Sequence, residues 1–109
     1  MKRGEVWTAS GGSDYAGKPR PVVILQDDRY DATASITVCG FTSGDLEGPL
    51  PRPVIEPSDT NGLRLRSRLM IDKITSIPRA RLGARLGALS LGEMGRIERA
   101  IVVFLGLVP

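Results

Sequence analysis

The chain has 109 residues, of which 41% are hydrophobic and 25% are charged. This length is typical of one domain with a real core, and the composition excludes wholesale disorder. We therefore expect a single domain over residues 1–109. The chain contains no histidine and only one cysteine, Cys39, which excludes imidazole chemistry, an intramolecular disulfide and a cysteine-based zinc site.

The net charge of +3 is unevenly distributed. Residues 64–85 hold seven basic side chains against a single acid, a net +6, so the remainder of the chain carries −3. Such asymmetry indicates a surface that binds a polyanion, although basic segments are also often just solvated faces. The seven are Arg64, Arg66, Arg68, Lys73, Arg79, Arg81 and Arg85.

No segment predicts export or insertion into a membrane. The N-terminus has two cations without an apolar core behind them. The longest apolar run, residues 100–105, is far too short to span a bilayer. We expect a soluble, cytoplasmic protein that does not contact a membrane.

Apolar runs and turn residues predict strands through the first half of the chain. Strands are expected at residues 4–9, 21–26 and 35–41, with a short edge strand containing Pro53 at 52–56. The Gly- and Ser-rich residues 10–18 have a composition that does not pack, so we expect them to form a mobile flap. They lack the spacing of a nucleotide-binding loop.

Arg20 lies between Pro19 and Pro21 at the start of a continuous apolar run. Each proline fixes its own φ and favours an extended conformation in the residue before it, so Arg20 should have little conformational freedom. The run from Val22 to Leu25 suits a strand that is buried on both faces. On this segment alone, Arg20 is either a functional cation or an ordinary loop arginine before a core strand.

In the second half, apolar residues alternate with basic ones over residues 63–71. A strand throughout this segment would place Arg64, Arg66 and Arg68 on one face. Residues 73–77 are expected to continue the sheet until Pro78 ends it.

Ser90 and Glu93 form a capping box that predicts the start of a C-terminal helix. Its expected core-facing stripe consists of Leu91, Met94, Ile97, Ile101, Phe104 and Leu105. Apolar residues also occupy a second side near its end, so we expect a second subunit to cover part of the helix. These residues are Val102, Val103, Leu107 and Val108.

Five short segments combine into one pattern. They are Lys2-Arg3-Gly4-Glu5-Val6-Trp7, Gly17-Lys18-Pro19-Arg20-Pro21 before an apolar strand, Thr42-Ser43 after a strand, Asn61-Gly62-Leu63, and Met70-Ile71-Asp72-Lys73-Ile74. Their order, their spacing and the chain length resemble the MazF/PemK family of toxin endoribonucleases over nearly the whole chain.

The resemblance implies a mainly β protein, a small and strongly curved SH3-like barrel of five to seven strands with a C-terminal α-helix. It implies a homodimer that is the toxin of a type II toxin–antitoxin system and is neutralised by a cognate antitoxin. It also implies sequence-specific cleavage of single-stranded RNA without a metal ion or other cofactor.

The resemblance also implies roles for individual residues. The family's arginine before proline corresponds to Arg20 and its threonine to Thr42, so these two are the catalytic candidates. Asp72 corresponds to an aspartate that is catalytic in some members and structural in others, and Met70 stands where some relatives carry a cation. Asp14 is the nearest candidate for the acidic residue of the first loop. The RNA-binding candidates are Lys18, Ser43, Arg64, Arg66, Arg68, Arg79 and Arg81.

This chemistry suits a chain without histidine, because RNA carries its own nucleophile, the 2′-hydroxyl. A guanidinium such as that of Arg20 can donate two parallel hydrogen bonds to phosphate oxygens, but its high pKa makes it a poor base. Thr42 could bond a non-bridging oxygen or orient the 2′-hydroxyl. Proton removal then needs another group or water.

Two alternatives remain open at this point. CcdB-like toxins resemble the same fold but poison DNA gyrase by contact and do not cleave RNA, and a basic RNA-binding domain could lack activity altogether. A metal-dependent nuclease is disfavoured because the carboxylates are scattered along the chain.

Overall fold

A computed structural model of the chain describes residues 1–11, 18–44 and 50–107. In chain order the elements are β1 (Glu5–Ala9), β2 (Arg20–Ile24), β3 (Ser35–Thr42), β4 (Val54–Ile55), β5 (Ser67–Leu69), β6 (Thr75–Pro78), β7 (Leu82–Ala88) and α1 (Leu91–Phe104). Single 3₁₀ turns cover Asp28–Tyr30, Ile71–Lys73 and Arg79–Arg81. The predicted mainly β fold with one C-terminal helix is confirmed.

The sheet is antiparallel and curled around β3. One edge of β3 pairs with β2, while the other pairs with β6 near its start and with β5 at its end. The remaining order runs from β2 through β1 to β7 on one side and from β5 to β4 on the other. Because one long strand has two different partners along a single edge, the sheet bends into a half-barrel. The predicted edge position of the strand that contains Val54 is confirmed.

β2 is buried on both faces, as its apolar run predicts. Val23 packs into the core cluster that α1 covers, which includes Met94 and Ile97. Val22 and Ile24 point the other way, into a second cluster with residues of β3 and β6. All three side chains are at most 1% exposed. At roughly 25 cal/mol per Å² of apolar area, such burial fixes the path of β2 firmly.

The capping box at the start of α1 is confirmed. The Ser90 hydroxyl accepts from the Glu93 N–H (3.1 Å), and the Glu93 carboxylate accepts from the Ser90 N–H (2.8 Å). The predicted core stripe is too long at both ends, because only the central turns of α1 lie over the apolar cluster. Met94 and Ile97 are buried, Leu91 is 93% exposed, and Phe104 and Leu105 are exposed as well.

The predicted strand over residues 63–71 is wrong for its first half. Only Ser67–Leu69 form a strand, and residues 63–66 follow an irregular path in which Leu65 is 64% exposed. Arg64, Arg66 and Arg68 therefore do not share one strand face. The cause lies just before, where side-chain and backbone contacts of Asn61 and Gly62 anchor the chain beneath β7.

β7 has no counterpart among the predicted strands. It pairs antiparallel with β1, with irregularities on either side of Trp7. Two glycines and an arginine interrupt its apolar pattern, which removes the alternation by which strands are predicted. Gly87 is required there, because a Cβ would lie 2.3 Å from the Thr60 carbonyl oxygen.

Other predictions fall partly outside the described ranges. Residues 12–17 of the expected flap, including Asp14, lie there, and so do residues 45–49 after β3. Within residues 1–11, 18–44 and 50–107, no helix is both long and apolar enough to cross a membrane.

Candidate active site

A groove of about 670 Å³ opens where β2 begins and β3 ends. Its far wall is the segment Gly62–Leu65, and its floor includes residues of β1, β6 and β7. The described residues that line it are Thr8, Pro19, Arg20, Pro21, Gly40, Phe41, Thr42, Ser43, Gly62, Leu63, Arg64, Leu65, Ser67, Met70, Lys73, Thr75 and Leu86. Both catalytic candidates and two RNA-binding candidates are thus brought to one place.

The chemical character of this lining is cationic. It contains Arg20, Arg64 and Lys73, together with five hydroxyl side chains and several apolar ones. Within the described part of the lining there is no carboxylate, imidazole or thiol. Such a surface attracts a phosphate backbone and offers apolar contacts to bases, whereas these residues do not supply the oxygen ligands that Mg²⁺ prefers.

Arg20 is the first residue of β2, and its side chain is exposed. On one side it pairs with Ala9 of β1. On the other side, Val22 pairs with Gly40 of β3, and continuing this register by two residues places Arg20 opposite Thr42. The buried strand fixes the backbone while the flanking prolines restrict it, so the guanidinium is presented from a rigid base.

Thr42 ends β3 with a hydroxyl that is only partly committed. The Gly44 N–H donates to the Thr42 Oγ1 at 3.2 Å, so the turn hydrogen bond typical of threonine at a strand end is present. A hydroxyl has one proton and two lone pairs. Because Gly44 uses a lone pair and no described residue accepts the Thr42 proton, that proton can donate to an anion in the groove.

Asn61 fixes the far wall of the groove. It is fully buried, and its Oδ1 accepts from the N–H groups of Ser58 and Leu63, each at 3.0 Å. Its Nδ2 donates to the Glu56 carbonyl (2.9 Å) and to the Glu93 carboxylate (3.4 Å). Every polar atom of this side chain is therefore used to join the segment before Arg64 to β4 and α1.

Gly62 completes this anchor. Its φ is +71°, and a Cβ there would lie 2.1 Å from the Leu86 carbonyl oxygen. Both the left-handed backbone and the close approach to β7 require glycine. The Asn61-Gly62 pair thus sets where Arg64 and Leu65 enter the groove.

Asp72 is engaged away from the groove. Its two carboxylate oxygens accept from Arg52 Nε and an Arg52 terminal nitrogen, both at 2.8 Å. Both side chains are mostly covered, at 13% and 15% exposure. The hydrogen bonds from Arg52 lower the pKa of Asp72, and those to Asp72 raise the pKa of Arg52. A stably ionised carboxylate with both oxygens occupied favours the structural alternative for Asp72.

The other five RNA-binding candidates are not among the described residues that line the groove. Arg66 pairs with Glu56 at 2.7 Å, and Arg68 donates to the Arg52 carbonyl oxygen at 3.3 Å. Arg79 donates to the carbonyl oxygens of Thr33 and Tyr30. Arg81 lies beside Gly11, while Lys18 is exposed next to Pro19, which does line the groove.

Sequence reasoning missed two side chains of the lining. Lys73 counted only toward the charge of the basic segment, and Met70 only as a departure from the family pattern. Met70 immediately precedes the 3₁₀ turn Ile71–Lys73, Lys73 ends it, and both side chains line the groove. A Cβ at Gly40 would lie 3.2 Å from the Met70 methyl carbon, so Gly40 leaves the room that Met70 occupies.

Cys39 is not a nucleophile of this site. Its side chain is fully buried, and its thiol donates to the Met70 carbonyl oxygen at 3.1 Å. Burial, aided by the charge of Asp72, raises the pKa of the Cys39 thiol to about 12. The thiolate is therefore scarce at neutral pH.

A family model described as "PemK-like, MazF-like toxin of type II toxin-antitoxin system" matches residues 2–105. The chain belongs to this MazF/PemK family. A "Probable endoribonuclease MazF" of Mycolicibacterium smegmatis is 52% identical over 107 residues, which cover 98% of each chain. "Endoribonuclease MazF9" of Mycobacterium tuberculosis is 32% identical over 117 aligned positions, again covering 98% of both chains.

Solved structures of MazF/PemK proteins share the fold. An "Endoribonuclease in complex with its cognate antitoxin from Mycobacterial species" superposes with a TM-score of 0.81 at 24% identity, covering 100% of this chain and 98% of that one. The "Mycobacterium tuberculosis toxin MazF-mt6" gives a TM-score of 0.77 over 94% of this chain and 96% of the other. The expected family and fold are therefore confirmed.

Proposed function

We propose that this MazF/PemK protein is a sequence-specific, metal-independent endoribonuclease, the toxin of a type II toxin–antitoxin system, acting as one domain over residues 1–109. The observation that carries the proposal is the groove itself, which Arg20 and Thr42 both line together with further cations and no described carboxylate. The endoribonuclease names of the relatives, one of them 52% identical, support the same activity.

The reaction we propose uses the 2′-hydroxyl of the RNA as its nucleophile. The 2′-oxygen attacks the adjacent phosphorus, the bond from phosphorus to the 5′-oxygen breaks, and the products are a cyclic phosphate and a 5′-hydroxyl. Arg20 stabilises the charge that develops on the phosphorane oxygens, and the Thr42 hydroxyl donates a hydrogen bond to one of them. A preorganised donor of this kind contributes roughly 3 to 4 kcal/mol in the transition state.

In this scheme the proton of the 2′-hydroxyl leaves to water, and the departing 5′-oxygen takes up a proton from water. The guanidinium of Arg20 is a poor base, and Asp72 is bound by Arg52 outside the groove. The apolar side chains of the lining, including Phe41 and Leu65, would contact bases and splay the strand into the in-line geometry that the attack requires.

We also propose the partners and the location that the family implies. The chain forms a homodimer, is neutralised by a cognate antitoxin and acts in the cytoplasm on single-stranded RNA. The antitoxin named with a structurally similar mycobacterial endoribonuclease supports the second of these points. None of the relatives named above supports the CcdB-like alternative.

The proposal is tested by incubating the purified protein with a long single-stranded RNA in EDTA. We expect cleavage at short recurrent sequences, fragments that end in a cyclic phosphate, and 5′ ends that map to one motif. RNA that is retarded on a gel but remains intact would instead indicate a binding domain, and gyrase inhibition without cleavage would indicate a CcdB-like toxin.

A further inference from the structure

Lys73 is the cation of the groove to which the sequence pattern assigns no role. It follows Asp72 directly and lines the same groove as Arg64. Within the described part of the chain, its ammonium has no ion pair. Asp72 is the acid nearest to Lys73 in the sequence, so the partner that Asp72 takes bears on whether Lys73 is paired.

The partner of Asp72 is Arg52. Both oxygens of Asp72 accept from Arg52 at 2.8 Å in a bidentate arrangement, so both are occupied, and Asp72 is not among the described residues that line the groove. Bidentate pairs between guanidinium and carboxylate are among the strongest and most directional in proteins. Arg52 thereby removes the acid that could otherwise neutralise Lys73.

The other cations of the basic segment show how selective this arrangement is. Arg66 is paired with Glu56 and Arg85 with Glu5, while Arg79 is engaged by backbone carbonyls. Lys73 and Arg64 are the members of this segment that combine a place in the described lining with no ion pair to a described acid. Lys73 and Arg64 are thus the two cations by which the basic segment 64–85 contributes positive charge to the described lining of the groove.

Lys73 lies apart from the catalytic pair along the sheet. Met70 donates to the Gly40 carbonyl, and Thr75 pairs with Val38, so Lys73 lies beside β3 between the levels of Gly40 and Val38. These levels are two to four residues from Thr42, which at about 3.3 Å per residue corresponds to roughly 7 to 13 Å. A cation at that distance meets a different phosphate from the one that Arg20 and Thr42 contact.

We propose that Lys73 binds a non-scissile phosphate of the RNA strand, and that Arg52 is a positioning residue that keeps Lys73 unpaired by holding Asp72 in an ion pair of its own. This inference rests on the proposed function, since it assigns a subsite within the same groove. A lysine suits the task, because its compact ammonium binds phosphate as a point charge without the geometric demands of a guanidinium.

The test measures the salt dependence of RNA binding without cleavage. The probe is a short RNA with the mapped cleavage sequence and a single 2′-deoxy nucleotide at the attacking position. For single strands, each phosphate contact contributes about −0.7 to the slope of log K against log salt. We expect Lys73→Gln to reduce the magnitude of the slope by about 0.7 and to weaken binding several-fold at low salt. Lys73→Arg should retain the native slope, as should Lys2→Gln, an exposed lysine outside the groove.

Two further variants separate positioning from simple stability. Arg52→Met and Asp72→Asn break the same pair, but only the first leaves an unpaired carboxylate beside Lys73. We therefore expect Arg52→Met to reduce the slope as Lys73→Gln does, and Asp72→Asn to keep it. Equal slopes for these two variants would overturn the positioning role of Arg52, provided that circular dichroism shows both are folded.

The failure of this inference is distinguishable from failure of the proposed function. If native protein cleaves RNA and binds the probe, but Lys73→Gln keeps the native slope, the Lys73 subsite is wrong and the endoribonuclease stands. If native protein neither cleaves RNA nor binds it, the proposed function is wrong and the subsite falls with it.

Discussion

Arg20 and Thr42 reach the groove as end residues of two paired strands. Their backbones are fixed by β2 and β3, whose apolar side chains are buried in the two core clusters. Their polar ends remain exposed or partly exposed. This division lets a small protein place a guanidinium and a hydroxyl with little remaining freedom, which is what charge stabilisation in a transition state requires.

The role of the Thr42 hydroxyl group can be tested separately from the role of the side chain's shape. Thr42→Ser keeps both the acceptor for the Gly44 N–H and the free proton, whereas Thr42→Val keeps the shape and removes both. We expect single-turnover cleavage within about tenfold of native for Thr42→Ser and lowered by roughly 10²–10³ for Thr42→Val. Equal loss in both variants, with native stability, would show that the hydroxyl is not the group that matters.

Asp72 is expected to act on stability and not on the chemical step. Its folded-state pKa is lowered from an ordinary 3.8 by Arg52, so its contribution to stability is present above that value and lost as pH falls through the folded-state pKa. We predict that Asp72→Asn lowers the free energy of unfolding by about 1–3 kcal/mol at pH 7. The difference from native should shrink below pH 4, as measured by urea unfolding across that range.

The same variant discriminates between the two alternatives for Asp72. A structural carboxylate leaves the cleavage rate per folded molecule nearly unchanged, with an unaltered dependence on pH. A drop of several hundredfold in Asp72→Asn at full folding would instead assign Asp72 to the reaction.

At the scale of the elements, the segment between β4 and β5 depends on one buried amide. Asn61→Ala would remove a fully buried side chain and leave two N–H groups and one carbonyl without their partners, of which the bond to the Leu63 N–H is buried. We expect a loss of about 2–4 kcal/mol in the free energy of unfolding, measured with urea. Ser58→Ala is a milder control, because it removes only the bond from the Asn61 N–H. A loss below 0.5 kcal/mol for Asn61→Ala would contradict the anchoring role.

Elements with a clear local signal were predictable from sequence. β2 was predicted from a continuous apolar run bounded by prolines, and the start of α1 from its capping box. Residues 63–66 and β7 were not, because tertiary contacts decide both. Asn61 and Gly62 draw the first off the sheet, and Gly87 of β7 leaves room for the close approach of Thr60 and Asn61.

The residues of the candidate site likewise divide into those that the sequence predicts and those that only the structure identifies. Arg20 and Thr42 carry a family pattern that is readable in the sequence, and the structure adds that the ends of two paired strands bring them to one groove. Whether a cation is free or paired depends on distant partners, such as Glu56 for Arg66. No spacing rule within residues 64–85 could separate Lys73 and Arg64 from the rest.

At the scale of the whole molecule, the end of α1 leaves an apolar surface uncovered. Val103, Phe104, Leu105 and Leu107 are 41–70% exposed. Such a cluster on a small protein is typical of a subunit interface. We expect native protein to sediment as a dimer at micromolar concentration and Phe104→Lys to shift it toward monomer.

Tyr30→Lys is a matched control for this prediction, because Tyr30 is 56% exposed on a 3₁₀ turn outside α1. The Tyr30→Lys variant should remain dimeric. A native protein that sediments as a monomer, or a Phe104→Lys variant that stays fully dimeric, would contradict the assignment of this surface.

The central claim is that this protein cleaves RNA through the cation that begins β2, and Arg20→Ala tests it most directly. Single-turnover cleavage of an RNA with the mapped sequence is compared for native protein, Arg20→Ala and Arg29→Ala, an exposed arginine outside the described lining of the groove. We predict that Arg20→Ala lowers the rate by roughly 10²–10³ with unchanged thermal unfolding, while Arg29→Ala cleaves at the native rate. Native cleavage by a folded Arg20→Ala protein would contradict the account.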